Sequence, residues 1–534
     1  MSTVASSLPA AAVAVPGLAV PAIYALRHRP TAREGVTLAA SVGLVGVVTA
    51  ATGPVLGGDR LVASTAPYLL DVSLVLAADP FGTLFALLAA VLWVVTSVYS
   101  TGYVRALGED GQTRYFAAFA ASIAATMGVA FAANLLTLFV CYELLTVATY
   151  PLVVHAGTDE ARAAGRTYLG YTLAGGVLVL GGVVLVYWST GTTTFAAGGV
   201  EGLATADPVL ARGAFGLLAG GFAVKTAVIP LHGWLPRAMV APAPVSGLLH
   251  AVAVVKSGAF GLGRTTMYVF GPETVADLGV GTALAVAAAV TAVLAAVIAL
   301  RQAKIKRALA YSTVSQLSYI ALGFAIDARV AVFGALLHVV AHAFMKITLF
   351  LAAGTVYVET GVEYLDDLGG IAARLPGTMT AFAVTAAGLA GMPLVAGFVS
   401  KWHLVLGAFE AGVVPLGAVY LVAGTLKLLL FWPVLSTAFV DAGPPLPGHG
   451  SLAGSHDAEH DRTATADGGR PATDSEDHAT GTDFERRSPL AEARPTLLWP
   501  VVFTATVAVA LGVVPDLLPF WELAELTVVE VFGP

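Results

Sequence analysis

Long apolar segments recur from one end of this chain to the other, separated by short polar connections. A membrane-spanning helix needs about 20 predominantly apolar residues, because the hydrocarbon core is roughly 30 Å thick. By this rule the pattern predicts an all-α, polytopic membrane protein with about fourteen transmembrane helices. The predicted helix centres lie near residues 15, 46, 90, 123, 145, 178, 220, 255, 288, 315, 345, 390, 422 and 508.

Composition supports the same class of protein. Hydrophobic residues make up 57% of the chain and charged residues only 11%, whereas soluble domains carry about 25% charged residues. The single cysteine, Cys141, lies in an apolar run, which excludes a disulfide framework within the chain and a cysteine-ligated iron–sulfur cluster. No glycine-rich nucleotide motif is found. We therefore expect no cofactor, no metal and no nucleic-acid partner, and a transporter subunit rather than an enzyme.

The basic residues predict the orientation in the membrane. Thirteen of the 27 lysines and arginines fall in one alternate set of connections, beginning with Arg27, Arg29 and Arg33 after the first helix. Few of them fall in the opposite set. Because positively charged loops stay in the cytoplasm, the connection after the first helix is predicted to be cytoplasmic. Both termini are then predicted to lie outside, in a protein of the inner or plasma membrane.

One long polar segment interrupts the apolar pattern, from about Asp441 to Pro495. It is rich in acidic residues, Gly, Ser, Thr and Pro, a composition that does not bury a core. We interpret it as a disordered, acidic, cytoplasmic loop. Its histidines also allow metal binding, although a solvated linker accounts for the composition better. These histidines are His449, His456, His460 and His478.

Ionisable residues lie within several of the apolar segments, where they are costly and usually face a protein interior or a water path. The group comprises Glu143, Lys225, His250, Lys256, His338, His342, Lys346, Lys401 and Lys427. Desolvation disfavours the charged form of a lysine or a glutamate. An opposed Glu–Lys pair holds its charges when close and releases a proton when separated. Glu143 and Lys225 are predicted to form such a switch.

Three of these residues have i, i+4 and i+8 spacing and therefore share one helix face: His338, His342 and Lys346. Histidine titrates near neutral pH, so this stripe suits a proton relay. The alternative is that the buried groups are static ion pairs or packing residues, since polar contacts also join membrane helices. The whole set favours proton transfer, because a purely structural protein gains little from so many buried lysines.

Prolines at membrane depth predict broken helices near two of the lysines. Pro230 and Pro236 follow Lys225, and Pro393 precedes Lys401. Proline interrupts a helix, and such breaks are tolerated where the backbone lines a cavity. Paired interrupted helices are typical of inverted repeats around a transport site. Prolines that only mark loops remain the alternative.

These features predict five regions. The predicted regions are residues 1–112 with helices 1–3, 113–272 as the first repeat, 273–440 as the second repeat, 441–495 as the acidic loop, and 496–534 as the last helix and tail. Each repeat would contain five helices, 4–8 and 9–13, with helices 7 and 12 broken.

Four segments resemble a known family. They are KTAVIPLHGWLPRAMVAPAPVSGLLHAVAVVKSG, KRALAYSTVSQLSYI, HAFMKITLFLAAG and GMPLVAGFVSKW. Together they are similar to the Mrp-type cation/proton antiporter subunits and the antiporter-like subunits of respiratory complex I, over about residues 80–435. Within the family the run from Lys225 to Lys256 most resembles the D-type Mrp subunit.

The resemblance implies two half-channels joined by a central polar axis. It places Glu143 and Lys225 in the first pair, extended by Lys256 and His250. It also makes His338, His342 and Lys346 the central link, and puts Lys401 on the exit side.

Three functions follow from the resemblance and the buried charges. The first is a proton-conducting subunit of a multisubunit Na+/H+ antiporter, with other subunits, H+ and Na+ as partners. The second is a proton-pumping subunit of a complex I-like or membrane-bound hydrogenase complex. The third is a structural subunit that conducts nothing, which the line of lysines disfavours.

Overall fold

The computed structural model describes residues 2–69, 72–440, 487–489 and 491–533. Three strands lie in these residues: β1 (Ser2–Ala5), β2 (Asp59–Leu69) and β3 (Val72–Ala78). The helices of the first half are α1 (Leu8–Ala25), α2 (Pro30–Leu56), α3 (Pro80–Leu107), α4 (Gln112–Ala130), α5 (Leu135–Val153), α6 (Asp159–Thr190), α7 (Glu201–Ala204), α8 (Pro208–Thr226), α9 (Trp234–Arg237), α10 (Ala243–Ala251), α11 (Val254–Arg264) and α12 (Gly271–Leu278).

The helices of the second half are α13 (Val280–Ala299), α14 (Ile305–Ile326), α15 (Arg329–Thr360), α16 (Ile371–Arg374), α17 (Pro376–Ala390), α18 (Ala396–Glu410), α19 (Val414–Phe439), α20 (Pro495–Val513) and α21 (Phe520–Phe532). Two 3₁₀ turns, Ala238–Val240 and Leu365–Leu368, and a π-helical turn, Thr265–Phe270, complete the regular structure of the described residues.

The described chain is a multi-pass helical bundle, as predicted. Twelve of its helical segments are long and apolar enough to cross a membrane, and each contains one predicted helix centre. The two remaining predicted centres fall in α4 and at the end of α17, which the break after Ala390 separates from α18. The predicted class is confirmed, and the count of fourteen spans stays a prediction.

A small sheet lies at one end of the bundle and was not predicted. β1 pairs with β2 in parallel, and β2 pairs with β3 in antiparallel register. β1 and β2 mix polar and apolar residues without clear alternation, so periodicity alone does not predict strands there. We call this end of the bundle the sheet end. The opposite end is called the linker end, because residues 487–489 and 491–494 lie there.

Side chains at the helix starts explain where several helices begin. Asp79 accepts a hydrogen bond from Gly82 N at the start of α3, and Asn134 accepts one from Thr137 N at the start of α5. Thr158 does the same for Ala161 N in α6. Such N-caps satisfy donors that the helix itself leaves free, so α3, α5 and α6 each begin at a polar cap.

Most of the predicted acidic loop, 441–486, lies outside the described residues. Its last part corrects the prediction of disorder up to Pro495. Glu492 is completely buried, and its carboxylate accepts hydrogen bonds from the first turn of α17. Composition alone does not reveal this role, since a glutamate in a polar segment is ordinarily solvated.

Glycines allow α6 and α8 to pack closely. A Cβ at Gly221 would lie 2.6 Å from Gly175 O and 2.6 Å from the side chain of Val179. A Cβ at Gly182 would lie 2.5 Å from the side chain of Leu218. Membrane helices associate through such small-residue contacts, because lipid provides no hydrophobic force between them. This contact positions the end of α8, where Lys225 lies.

We predict that Gly221→Ala lowers the melting temperature of the purified protein. Overpacking a close contact costs about 1–3 kcal/mol, because the added Cβ meets backbone oxygen at Gly175. The matched control is Gly216→Ala in the same helix, where an added Cβ meets nothing within 4 Å. A Gly221→Ala protein that melts with the control would contradict this account of the α6–α8 contact.

Candidate functional site

The structure buries the predicted ionisable residues in the interior of the bundle. The side chains of Lys225, His250, His338, His342 and Lys346 are fully inaccessible, and Lys256, Lys401 and Lys427 are at most 7% exposed. Glu143 is half-buried. The predicted stripe on α15 is observed, since His338, His342 and Lys346 all lie within that helix.

Lys225 is a buried lysine one residue before the end of α8. Its Nζ donates a hydrogen bond to Tyr142 O and lies 3.2 Å from the centre of the Tyr142 ring. The ring face provides a cation–π contact. The predicted partner, Glu143, is close enough to interact electrostatically but is not in ion-pair contact. The two side chains are therefore not in direct contact in the structure, and the switch stays a prediction.

Glu143 lies where α5 meets α6, at the edge of the subunit. A Cβ at Gly176 would lie 2.3 Å from Glu143 Oε1, so the carboxylate occupies the space that the glycine leaves. That oxygen has no hydrogen-bond partner among the described residues. Two residues near Glu143 in α5, Leu144 and Val147, are 56% and 62% exposed. Glu143 thus lies between the buried interior and an apolar outer face.

The centre of the bundle contains two histidines without hydrogen-bond partners in the described structure. Both ring nitrogens of His250 and of His342 are buried and unpaired. His250 packs against Phe350, with ring centroids 4.7 Å apart. Lys256 Nζ donates to Val339 O at 3.0 Å, one turn before His342. Buried polar groups require partners, so this region suits ordered water.

Lys346 connects α15 to α14. Its Nζ donates to Leu309 O at 3.0 Å and also to the hydroxyl of Ser312. Both partners are neutral oxygens, so the amine is held without a counter-charge in direct contact.

His338 lies between two helices and can be hydrogen-bonded in either protonation state. Gln316 Nε2 donates to Leu389 O, so its Oε1 accepts from His338 Nε2, 2.6 Å away. His338 Nδ1 is 2.9 Å from Ser400 Oγ. Ser400 also reaches Ala396 O at 3.3 Å. The serine can donate to a neutral histidine, or accept from a protonated one and donate to the carbonyl.

The second helix break holds Lys401. The Nζ of Lys401 donates to Leu389 O, at the end of α17, where Gln316 also donates. Lys427 Nζ donates to Ser315 Oγ at 2.7 Å and lies 4.6 Å from the Tyr319 ring. Leu389 O, which the break leaves free, therefore accepts hydrogen bonds from both the Lys401 amine and the Gln316 amide.

The prolines lie at both breaks, as predicted. Pro230 falls in the turn between α8 and α9, Pro236 is buried within α9, and Pro393 is exposed between α17 and α18. Groups freed at the first break find side-chain partners. Trp234 Nε1 donates to Val224 O at 2.8 Å, and Ile229 N donates to Thr291 Oγ1 at 3.1 Å.

Sequence reasoning missed a polar stripe on α14. The stripe consists of Ser312, Ser315, Gln316 and Tyr319, at positions i, i+3, i+4 and i+7 of one helix face. These residues contact Lys346, Lys427 and His338. The spacing was readable in the segment KRALAYSTVSQLSYI and identifies the face of α14 that turns toward the lysines.

A buried ion pair at the sheet end was also missed. Arg264, at the end of α11, donates to Asp79 Oδ1 at 2.8 Å. The guanidinium lies 4.5 Å from the ring of Tyr268, whose hydroxyl donates to Glu530 at 2.9 Å. Burial, and after it the nearby Asp79 carboxylate, raise the pKa of Glu530. This cluster joins α3, α11 and α21.

Asp327 follows α14 at the sheet end. Neither of its carboxylate oxygens has a hydrogen-bond partner in the described structure, and burial raises the pKa of Asp327 to about 7.

No group of three or more His, Cys, Asp or Glu side chains that could hold a metal ion occurs in the described part of the chain. The histidines of the acidic loop, from His449 to His478, lie outside the described residues.

Comparison with known proteins identifies the family. The family described as "NADH:quinone oxidoreductase/Mrp antiporter, TM" matches residues 132–426. The N subunit of NADH-quinone oxidoreductase from Desulforudis audaxviator is 36% identical over 374 residues, 69% of this chain and 73% of that protein. A probable K(+)/H(+) antiporter A/B subunit from Rhizobium meliloti is 33% identical over 346 residues, 65% of this chain and 34% of that protein.

Solved structures share the fold. A chain of the Mrp complex from Dietzia sp. has a TM-score of 0.81 and 26% identity, covering 99% of this chain and 97% of that chain. A chain of the membrane-bound sulfane sulfur reductase, an archaeal respiratory membrane complex, has a TM-score of 0.80 and 21% identity, with 98% of each covered. The latter likeness concerns the fold alone.

The matches define an antiporter-like, multi-pass membrane subunit. The chain belongs to the NADH:quinone oxidoreductase/Mrp antiporter transmembrane family, which confirms the predicted resemblance.

We predict that Gln316→Leu destabilises the protein. The change leaves His338 Nε2 without its acceptor and removes a donor from Leu389 O. Leaving a buried polar group unpaired costs about 1–3 kcal/mol. The melting temperature of the purified protein should fall below that of Gln302→Leu, a control at the end of α13 where the amide donates only to Ile298 O. Equal melting temperatures would mean that the Gln316 contacts contribute nothing to stability.

Proposed function

We propose that this chain is the proton-conducting, D-type subunit of a multisubunit monovalent cation/proton antiporter, with Na+ as the cation. It acts as part of a transporter and carries out no catalytic reaction of its own. The antiporter relative and the structural likeness to a chain of the Mrp complex support this proposal. Partners are the other subunits of the membrane complex.

The observation that supports this proposal most directly is the set of hydrogen bonds that the buried lysines make. Lys225, Lys256, Lys346, Lys401 and Lys427 all donate to backbone carbonyls or hydroxyls. None of these five, all in the described part of the chain, forms an ion pair. A buried cation without a contacting counter-charge is costly, whereas a neutral amine bonds to the same hydroxyls. Such lysines are suited to gain and lose protons.

These residues suggest a route for protons. The proposed route begins at Glu143 and Lys225 and continues through Lys256 and His250. It then follows the α15 stripe from Lys346 through His342 to His338, and it ends at Lys401. Single transfers along it need water or small side-chain movements, and the unpaired nitrogens of His250 and His342 mark where water is needed. The residue roles are part of the proposal.

Few carboxylates lie within the membrane segments of this chain. Sodium prefers hard oxygen ligands such as carboxylates and carbonyls, so we propose that the chain carries mainly protons. The cation then passes at another subunit or at an interface between subunits. The predicted repeats, 113–272 and 273–440, supply one half-channel each.

The basic residues support an orientation with the linker end in the cytoplasm and both termini outside, in the inner or plasma membrane. Connections at the linker end carry most of the lysines and arginines, including Arg105, Arg162 and Arg301.

A second candidate is the proton-pumping subunit of a complex I-like oxidoreductase. The 36% identity to the N subunit of an NADH-quinone oxidoreductase favours it. The buried lysines serve both functions equally, and the two differ in what drives the protons: a cation gradient in the first, and redox chemistry in other chains in the second.

We predict that Lys225→Ala abolishes proton movement while leaving the complex assembled. Removal of the amine interrupts the route between Glu143 and the centre of the bundle. The measurement is cation-driven proton movement in inverted vesicles, normalised to the amount of assembled complex. The control is Lys304→Ala, a 42% exposed lysine paired with Glu363. Normal transport by Lys225→Ala would refute the charge-switch account.

The Glu143→Ala complex separates the two candidate functions. We expect loss of the Na+-dependent proton signal with normal assembly if the antiporter function is correct. Loss of a respiration-driven signal, with no Na+ response in the wild type, would instead establish the complex I-like function. If the Na+-dependent and the respiration-driven proton signals are both unchanged, Glu143 is a packing residue, and its role in both candidate functions is overturned.

A further inference from the structure

A short segment, residues 487–489 and 491–494, precedes α20 and lies against the linker end of α17. Glu492 is its buried residue, with no exposed surface. Its Oε2 accepts from Gly377 N at 2.6 Å, and its Oε1 accepts from Thr378 N at 2.7 Å and Thr378 Oγ1 at 2.6 Å. Three donors from one helix start therefore converge on a single carboxylate.

The helix has no cap of its own. The residue before α17 is Leu375, which provides no side-chain hydrogen bond, and Pro376 has no N–H to donate. The free donors of the first turn are thus satisfied by a residue more than a hundred positions later in the chain. A carboxylate at a helix N-terminus also interacts favourably with the helix dipole.

Other contacts hold the segment in place. Arg487 N donates to Ala373 O at 3.1 Å, and Arg487 Nη1 donates to Glu492 O at 3.2 Å. The same guanidinium forms an ion pair with Glu359 at 3.5 Å. A Cβ at Gly377 would lie 3.2 Å from Pro489 O and 3.3 Å from Glu492 Oε1. The glycine thus leaves room for the segment to lie directly on the helix start.

The opposite end of α17 is the second helix break. Its 15 residues span about 22 Å at 1.5 Å per residue. Leu389 O, one residue before the end of α17, accepts from Lys401 and from Gln316. A rigid helix therefore connects the carboxylate of Glu492 to the carbonyl that holds Lys401.

We propose that Glu492 is a positioning residue for Lys401, and that it fixes α17 along its axis so that Leu389 O meets the amine. This inference rests on the proposed function for its effect on transport.

The first experiment measures position without using transport. Hydrogen–deuterium exchange of the assembled complex is compared for the wild type, Glu492→Gln, Glu492→Asp and Thr378→Val. We expect Glu492→Gln to speed exchange both at residues 377–381 and at the distant break, 391–401. Thr378→Val removes one of the three hydrogen bonds and should have a smaller effect. Faster exchange at residues 377–381 alone would mean a local cap and overturn the inference.

The second experiment measures cation-driven proton movement per assembled complex. Glu492→Gln should lower the maximal rate about tenfold, which corresponds to the loss of one charge-assisted hydrogen bond. The half-saturating cation concentration should stay unchanged, and Glu492→Asp should restore part of the rate. The matched control is Glu363→Gln, a carboxylate at the same end that does not contact α17 and pairs with Lys304.

The outcomes separate the two proposals. A Lys401→Ala complex that transports normally refutes the proposed role of Lys401. An impaired Lys401→Ala complex beside a fully active Glu492→Gln complex refutes the positioning role alone. A Glu492→Gln rate that falls only in proportion to the amount of assembled complex also refutes it.

Discussion

Lipid hydrocarbon offers no hydrogen-bond partner, so every polar group at membrane depth must find one inside the protein. Each buried lysine of this chain meets that demand with a backbone carbonyl or a hydroxyl, never with a contacting carboxylate in the described structure. Carbonyls and hydroxyls accept hydrogen bonds from both forms of an amine. Each of these lysines can therefore keep its hydrogen bond whether or not it carries its proton.

The helix breaks extend the same principle to the backbone. Ending α8 and α17 within the membrane exposes carbonyls such as Val224 O and Leu389 O, and side chains from other helices occupy them. Lys401 is one of these side chains. Under the proposed function, Leu389 O therefore both stabilises the helix break and holds a lysine of the proton route.

Hydrophobic segment length predicted the spans well, because a span must match the thickness of the bilayer. The residue types Lys, His and Glu within those spans were also readable, since they contrast with apolar neighbours. Side-chain partners were not readable. The separation of Glu143 from Lys225 depends on packing between α5, α6 and α8, and the polar stripe from Ser312 to Tyr319 resembles ordinary small-residue packing.

Long-range contacts were the least predictable part. The cap provided by Glu492 joins positions far apart in sequence, and nothing in the polar composition around it marks a buried residue. The buried pair of Asp79 and Arg264 is similar: each residue looks like part of a loop, and only the folded bundle brings them together.

The position of Glu143 at the edge of the subunit has a consequence for assembly. On the single chain the apolar side chains of Leu144 and Val147 beside it are exposed, and a charge that faces hydrocarbon is costly. A partner subunit that covers this face changes the surroundings of the carboxylate. Under the proposed function, the start of the proton route is therefore completed by a neighbouring subunit.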